Sequence, residues 1–298
     1  MVENSASGVI AEKPKKVRAQ SQVKETLKRL VRNRLALVGM IILIIYILIA
    51  IFGPFLTPYN YAEFSLMDKK SPPSAAHWCG TDQYGRDILT RLLVGTRYSM
   101  GLGLGAVALG LLFGVILGCL AGYFGGWVEE IIMRFGDLVQ SIPSMLLAII
   151  ISIVLGTGFI QTVIAIGFGR ITLNARLIRA QFLSQRRLEY VEAALATNCP
   201  KGKLMFVHIL PNTISPLIVT STMGVGGTVM MAANLSFINL GIQPPSPEWG
   251  AMISDANAMV RSAPYQILFP GLMLAIFVLA LNLFGDGLRD ALDPKLKD

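Results

Sequence analysis

The chain has 298 residues, of which 53% are hydrophobic and 15% are charged, and its formal net charge is +8. Soluble domains usually carry about 25% charged residues, so this composition excludes an ordinary soluble protein and indicates a membrane protein. The Lys and Arg residues cluster beside long apolar runs. That placement is typical of membrane topology, so no nucleic-acid partner is predicted.

Six long apolar segments are predicted to form transmembrane helices, because about 20 residues are needed to cross the hydrocarbon core. The fourth segment is unusual, since Arg170, Arg176 and Arg179 lie in its C-terminal half. The predicted fold class is therefore an all-α membrane protein with six transmembrane helices. In chain order the segments are residues 35–56, 98–123, 130–155, 159–180, 215–240 and 266–288.

The segments between these helices divide the chain into units. We predict an N-terminal tail at residues 1–34, the first helix at 35–56 and an external loop at 57–97. A five-helix core follows at 98–293, interrupted by a polar stretch at 186–212, with a short tail at 294–298. Residues 23–34 mix basic and apolar positions at helical spacing, which fits an amphipathic helix on the inner membrane face and a solvated tail equally well.

The basic residues predict the orientation. They are concentrated before the first helix and from Arg170 to Lys203, whereas residues 241–265 contain only Arg261 as a basic residue. The positive-inside rule therefore places both termini and the stretch 186–212 in the cytoplasm. Basic residues in the 57–97 loop weaken this bias without reversing it.

A stripe of glycines marks one face of the second predicted helix, with Gly110, Gly114, Gly118 and Gly122 four residues apart. Small residues let helices in membranes approach closely. The stripe predicts tight helix packing, either within the chain or against a second subunit.

Several signatures of chemistry are missing from the sequence. No GxxxxGK[ST], GxSxG or HExxH pattern occurs. The two histidines, His77 and His208, fall on opposite predicted sides of the membrane, and the three cysteines form no CxxC pair. We therefore expect no catalytic residue, no metal site and no cofactor bound by this chain.

The polar stretch at 186–212 is predicted to form two short helices at an angle. Glu189 and Glu192 favour the first turn of a helix at Glu189–Ala196 through the helix dipole, and the alanines add helix propensity. Residues 197–200, which end in Pro200, should terminate that helix. A second piece at 201–210 is predicted to end at Pro211.

This stretch resembles the coupling loop of ABC importer permeases, in which Glu-Ala-Ala-x-x-x-Gly is followed by an Ile-Leu-Pro-like ending. Asn198 stands at the position of the family glycine. Glycine tolerates positive φ best, and asparagine is the next most tolerant residue. By this resemblance the residues that couple to the ATPase are Tyr190, Glu192, Ala193, Ala194, Asn198, Pro200, Ile209, Leu210 and Pro211.

Two further motifs narrow the resemblance to the dipeptide, oligopeptide and nickel permease branch, over residues 31–293. One is Cys-Gly-Thr-Asp-Gln-Tyr-Gly-Arg-Asp at 79–87, and the other is the Pro-rich segment 240–250. Asp82 could cap a nearby helix, and Trp249 is expected at the membrane interface or against a binding protein. The residues expected to shape the external mouth or contact a binding protein are Thr81, Asp82, Gly85, Arg86, Asp87 and Trp249.

The resemblance implies a type I ABC importer permease fold in a prokaryotic cell membrane. It also implies a heterodimer with a homologous second permease, two ABC ATPase subunits that bind ATP and Mg, and an extracytoplasmic substrate-binding protein. Peptide is the first expectation for the substrate, with nickel or a metal chelate and oligosaccharide as alternatives. A secondary transporter or channel would work without ATP, but most predicted spans lack the mid-depth charges typical of proton or ion pathways.

Overall fold

The computed structural model describes residues 19–292, and the secondary-structure elements of that part of the chain are all helical. Short 3-10 turns at Gly53–Phe55 and Asn257–Met259 follow two of them. The helices are α1 Ala19–Arg32, α2 Arg34–Phe52, α3 Ile88–Phe124, α4 Gly126–Ser141, α5 Ser144–Leu155, α6 Phe159–Gln185, α7 Glu189–Ala196, α8 Lys201–Lys203, α9 Leu210–Phe237, α10 Trp249–Ala256 and α11 Tyr265–Leu292.

Four helical stretches within residues 19–292 are long and apolar enough to cross a membrane. The pair α4 and α5 would add a fifth if the two helices form one span. Helix α6 contains the predicted fourth span, but it is less apolar than these four stretches and carries three arginines. The four stretches are Arg34–Phe55, Ile88–Phe124, Lys201–Phe237 and Tyr265–Leu292.

The predicted third span is not one straight helix. The chain bends by 93° between α4 and α5, at Ile142 and Pro143. Proline has no backbone N–H to donate and disfavours helical backbone in the residue before it. Ile142 accordingly takes an extended conformation, with φ −91° and ψ 127°.

The prediction that a second short helix ends at Pro211 was also wrong. Residues from Lys201 to Phe237 form one continuous helical stretch, in which Leu204–Ile209 is π-helical. The Leu210 N–H bonds to the Met205 carbonyl, five residues back, and Pro211 then falls in the first turn of α9. Pro211 is thus accommodated within a continuous helical stretch, directly after the π-helical turn.

The glycine stripe of α3 packs against α6, so its partner lies within the chain. A Cβ on Gly114 would lie 2.6 Å from the Asn174 Cβ, and one on Gly118 would lie 2.6 Å from the Ala175 carbonyl oxygen. One turn further on, a Cβ on Gly122 would lie 2.5 Å from the Phe182 Cβ. Only glycine permits this backbone approach, and the sequence-based prediction of tight packing is confirmed.

The bundle has two ends that contain different loops. At one end, which we call the α7 end, α7 lies beside the C-terminal parts of α3 and α6. At the opposite end, the α10 end, α10 and the loop of residues 57–87 lie together with the start of α3. Each end therefore brings together segments that are far apart in the sequence.

Helix α1 confirms that the basic segment before α2 is helical. Leu30 packs against Ala36 of α2 and Ala291 of α11, and this contact fixes α1 beside the C-terminal end of α11. Its placement on a membrane surface stays a prediction. The predicted tail at 294–298 and residues 1–18 of the N-terminal tail lie outside the described residues.

Candidate functional site

Helix α7 is held to the bundle by one buried side chain. Val191 is 1% exposed and packs in a cluster with Leu204, Met205 and Ile209 at the start of the long helix that ends in α9. Phe182 of α6 belongs to the same cluster. Helix α7 is therefore packed against both helices that flank it in the sequence.

The opposite face of α7 is open. Glu192, Ala193 and Ala196 are exposed, and Leu195 is 53% exposed. The face thus combines small side chains and one large apolar side chain with a carboxylate in the first turn. Small side chains allow a partner to approach the helix backbone closely.

The turn after α7 has the geometry of a Schellman motif. The Cys199 N–H bonds to the Ala194 carbonyl at 3.1 Å, and the Asn198 N–H bonds to the Leu195 carbonyl at 3.0 Å. This pattern requires the residue at Asn198 to be left-handed, and its φ is 56°. The turn does need a positive φ at this position, and asparagine, the next most tolerant residue after glycine, can therefore stand in place of glycine.

The other predicted coupling residues divide between surface and support. Pro200 and Pro211 are exposed, whereas Ile209 is only 1% exposed and packs in the same cluster as Val191 of α7. The Tyr190 hydroxyl donates to the Gln185 Oε1 at 2.9 Å and connects α7 to the end of α6. Ala194 and Leu210 are half-buried.

At the α10 end, Asp82 does not cap a helix. Its Oδ1 accepts from the Tyr84 and Arg86 backbone N–H groups at 2.8 and 3.0 Å, which closes a tight turn. The cap of α3 is Asp87, whose Oδ2 accepts from the Thr90 N–H at 2.7 Å. The sequence prediction therefore named the wrong aspartate, because both precede the helix and only the folded turn distinguishes them.

Most of the predicted mouth residues are internal to the chain. Thr81, Gly85, Arg86 and Asp87 are buried, and the Arg86 Nε donates to the Asp82 Oδ2 at 2.5 Å. Gly85 has φ 80°, and a Cβ there would overlap the Ser65 carbonyl oxygen. Within this chain these residues hold the loop together, and they do not present an exposed contact surface.

The expected position of Trp249 at the membrane interface was wrong. Its side chain is fully buried, and its Nε1 donates to the Leu92 carbonyl at 3.3 Å. The indole ring meets Tyr46 and Phe277 edge-on, each at 5.8 Å between ring centroids. Three helices bring these rings together, so the residue packs in the core rather than anchoring in lipid headgroups.

Sequence reasoning missed Glu248, a fully buried carboxylate at the start of α10. It accepts hydrogen bonds from the Gly250 and Ala251 N–H groups at 2.9 and 2.8 Å, and it also binds the Ser99 hydroxyl. Nearby Asp255 lies 3.6 Å from Arg86, and burial raises the pKa of its carboxyl group. An acidic residue before an apolar helix was the only signal available for Glu248.

Comparison with known proteins identifies the family. Residues 110–298 match the model of the binding-protein-dependent transport system inner membrane component, and residues 21–73 match that of the N-terminal TM domain of oligopeptide transport permease C. The chain belongs to the binding-protein-dependent permeases. The family and its C-type branch agree with the resemblance of the three motifs.

Three relatives show how far the similarity to other permeases extends. The dipeptide transport system permease protein of Alkalihalophilus pseudofirmus is 46% identical over 94% of this chain and 92% of its own length. The glutathione transport system permease protein of Pectobacterium atrosepticum is 41% identical over 92% of this chain and 91% of its own. The oligopeptide transport system permease protein of Bacillus subtilis is 39% identical over 92% and 90%.

Proposed function

We propose that this permease moves peptides across a prokaryotic cell membrane. Three related permeases are named for dipeptide, glutathione or oligopeptide transport, and glutathione is itself a small peptide. The chain is a permease component of an ABC importer. Membership in that family implies a partner ATPase and a binding protein.

The assembly we propose has two different permeases, this chain and a homologue, with two ATPase subunits that bind ATP and Mg. An extracytoplasmic protein delivers the peptide. Six spans follow if α6 crosses the membrane and the bent pair α4 and α5 counts as one crossing. The basic residues favour an orientation with both termini and α7 in the cytoplasm, where an ATPase can reach them.

This proposal rests on the difference between the two faces of α7, one of which is buried while the other is exposed. Val191 fixes the helix to a cluster built from α6 and the start of the long α9 stretch, while Glu192 and Ala193 face outward. A partner that grips the outer face would therefore move both helices together. Such coupling converts ATP-driven closure of the ATPases into alternating access, with no chemistry required of this chain.

The coupling claim is tested by replacing both outer residues with bulky basic ones, as in the double variant Glu192→Lys, Ala193→Arg. In proteoliposomes with the complete importer, peptide uptake should be lost. ATPase activity should no longer respond to the loaded binding protein, while the permease still inserts. Glu130→Lys is the control, since Glu130 is 64% exposed and lies on α4 rather than on α7. Normal uptake by the double variant would refute the coupling role of α7.

The peptide claim needs a separate measurement, because the binding protein governs much of the selectivity in such systems. We expect the purified cognate binding protein to retain short peptides from a mixed extract. Retention of nickel, a metal chelate or an oligosaccharide in their place would refute the peptide substrate and leave the permease assignment unchanged.

A further inference from the structure

Three arginines lie on α6, and they differ in their partners. Arg176 pairs with Asp137 of α4, and the Arg179 Nε donates to the Glu129 Oε1 at 2.6 Å. Arg170, near the middle of the same helix, pairs with no carboxylate in the described part of the chain, and its buried Nε has no hydrogen-bond partner there. Arg170 is half-buried, and a guanidinium whose Nε is buried without an acceptor is costly in a bundle, which points to a role for this residue.

Two further polar groups on α6 and α9, each within one turn of a residue that Arg170 contacts or of Arg170 itself, have no hydrogen-bond partner in the described part of the chain. Asn174 is one turn along α6 and only 6% exposed, and its Nδ2 has no partner. Ser221 on α9 is 7% exposed, and its hydroxyl is also unpartnered. It lies one turn before Gly224, against which the Arg170 guanidinium rests so closely that a Cβ on this glycine would overlap the Nη2. On the other side, a Cβ on Gly110 of α3 would lie 2.7 Å from the Arg170 Cβ and 3.4 Å from the Asn174 Nδ2.

The three groups share one chemical character. The guanidinium and the amide nitrogen are donors, and the hydroxyl can donate as well. Donors that find no acceptor in the described part of the chain are complementary to the oxygens of a carboxylate, which accept charge-assisted hydrogen bonds. The cluster therefore resembles an anion site whose anion is not part of this chain.

Helix α9 offers a path to this cluster. Its exposed residues include Thr220, Gly227 and Asn234, interspersed with the apolar Ile218, Met230 and Phe237, and the half-buried Gly224 lies one turn from Thr220 and Gly227. The exposed positions of α2 from Val38 to Phe52 differ, because all of them are large apolar residues, among them Ile41, Ile44, Ile45, Leu48 and Ile51. A face of the α2 kind suits lipid tails, whereas polar and small residues at comparable exposure suit a water-filled passage.

We propose that Arg170, with Asn174 and Ser221, binds the carboxylate of the substrate as it passes along the exposed face of α9. This inference rests on the proposed function, since a short peptide carries a carboxylate at its C-terminus. The site binds the peptide weakly and transiently after the binding protein releases it. It makes the permease itself selective for anionic substrate ends.

The test compares a peptide with a free C-terminal carboxylate and the same peptide as its C-terminal amide. Both are supplied, at saturating binding protein, to proteoliposomes that contain the complete importer. Arg170→Gln should lower initial uptake of the free acid about tenfold to a hundredfold, the range for a lost hydrogen bond to a charged group, and should change uptake of the amide by less than about twofold. The preference of the binding protein cancels, because each peptide is compared between variant and wild type.

Two further variants sharpen this test. Arg176→Gln removes a guanidinium from the same helix that already pairs with Asp137, so it should affect both peptides equally. Arg170→Lys keeps the charge, and we expect it to retain most of the selectivity for the free acid. If Arg170→Gln fails to assemble with the other subunits, Arg170→Lys is the variant in which the selectivity is measured.

The outcomes separate the site from the function. Equal loss of acid and amide uptake in Arg170→Gln, or loss of selectivity in Arg170→Lys, would overturn the carboxylate site in favour of a structural role or a counter-ion on the second permease. Uptake of neither peptide by the wild-type importer, with a functional binding protein, would overturn the peptide function and the carboxylate site together.

Discussion

Ser99 of α3 joins α10 to the bundle through both its donor and its acceptor. Its hydroxyl donates to the Glu248 Oε1 at 3.2 Å and accepts from the Trp249 N–H at 3.1 Å. Glu248 uses its remaining capacity to cap α10. The start of α10 is thus fixed to α3 by a fully buried carboxylate whose two oxygens accept three hydrogen bonds.

Glu248→Ala should destabilise the permease by about 3 kcal/mol, because it removes a helix cap and leaves buried N–H groups at Gly250 and Ala251 without partners. Glu248→Gln keeps one acceptor oxygen, so we expect a smaller loss. Thermal unfolding of the purified protein measures both. Glu130→Ala, on an exposed glutamate, should leave the Tm unchanged. An unchanged Tm in Glu248→Ala would show that the carboxylate is not structural.

Asn198→Gly should keep transport within about twofold of wild type, because glycine adopts the positive φ of 56° without strain. Asn198→Ala should cost about 1 kcal/mol, since a left-handed backbone is unfavourable for a residue with a Cβ and no polar side chain. The measurement is uptake by reconstituted importer, together with protease sensitivity of residues 186–212. Equal behaviour of the glycine and alanine variants would argue that the Schellman turn does not matter for coupling.

Gly114→Leu should prevent α3 from packing on α6. A Cβ alone would already lie 2.8 Å from the Ile171 carbonyl oxygen, and the rest of the leucine has no space, so we expect a loss of at least about 1–3 kcal/mol. Yield and monodispersity in detergent are the measurements. Gly271→Leu on α11 is the matched control, because a Cβ there meets nothing within 4 Å. Normal yield of Gly114→Leu would contradict the observed packing.

Glu129 and Arg179 join α4 to α6 at the α7 end. Glu129→Arg and Arg179→Glu should each lower stability, since each places two like charges together, and the double variant should recover about 1 kcal/mol by restoring opposite charges. A double-mutant cycle on thermal unfolding measures this coupling. Additive losses in the double variant would mean that the two helices are held by other contacts alone.

Part of the candidate site could be predicted because its signals are local. The break after α7 follows from Pro200, and Asn198, whose φ is positive, belongs to the small set of residues that tolerate such a backbone. The glycine stripe likewise needed only a spacing of four residues on a helix. Trp249, Glu248 and Asp87 could not be assigned from the sequence, because their roles depend on residues that only the fold brings near, such as Ser99 and Leu92.

The sequence by itself determined the family and the membrane class and predicted a coupling segment, because composition and short motifs act locally along the chain. Only the tertiary structure decided that Pro143 bends the predicted third span and that α7 has a buried face at Val191. The same holds for Arg170, which has no counter-ion within residues 19–292 although Arg176 and Arg179 on the same helix have one. Whether a side chain is paired or buried depends on distances between segments that are far apart along the chain, and the sequence does not state those distances.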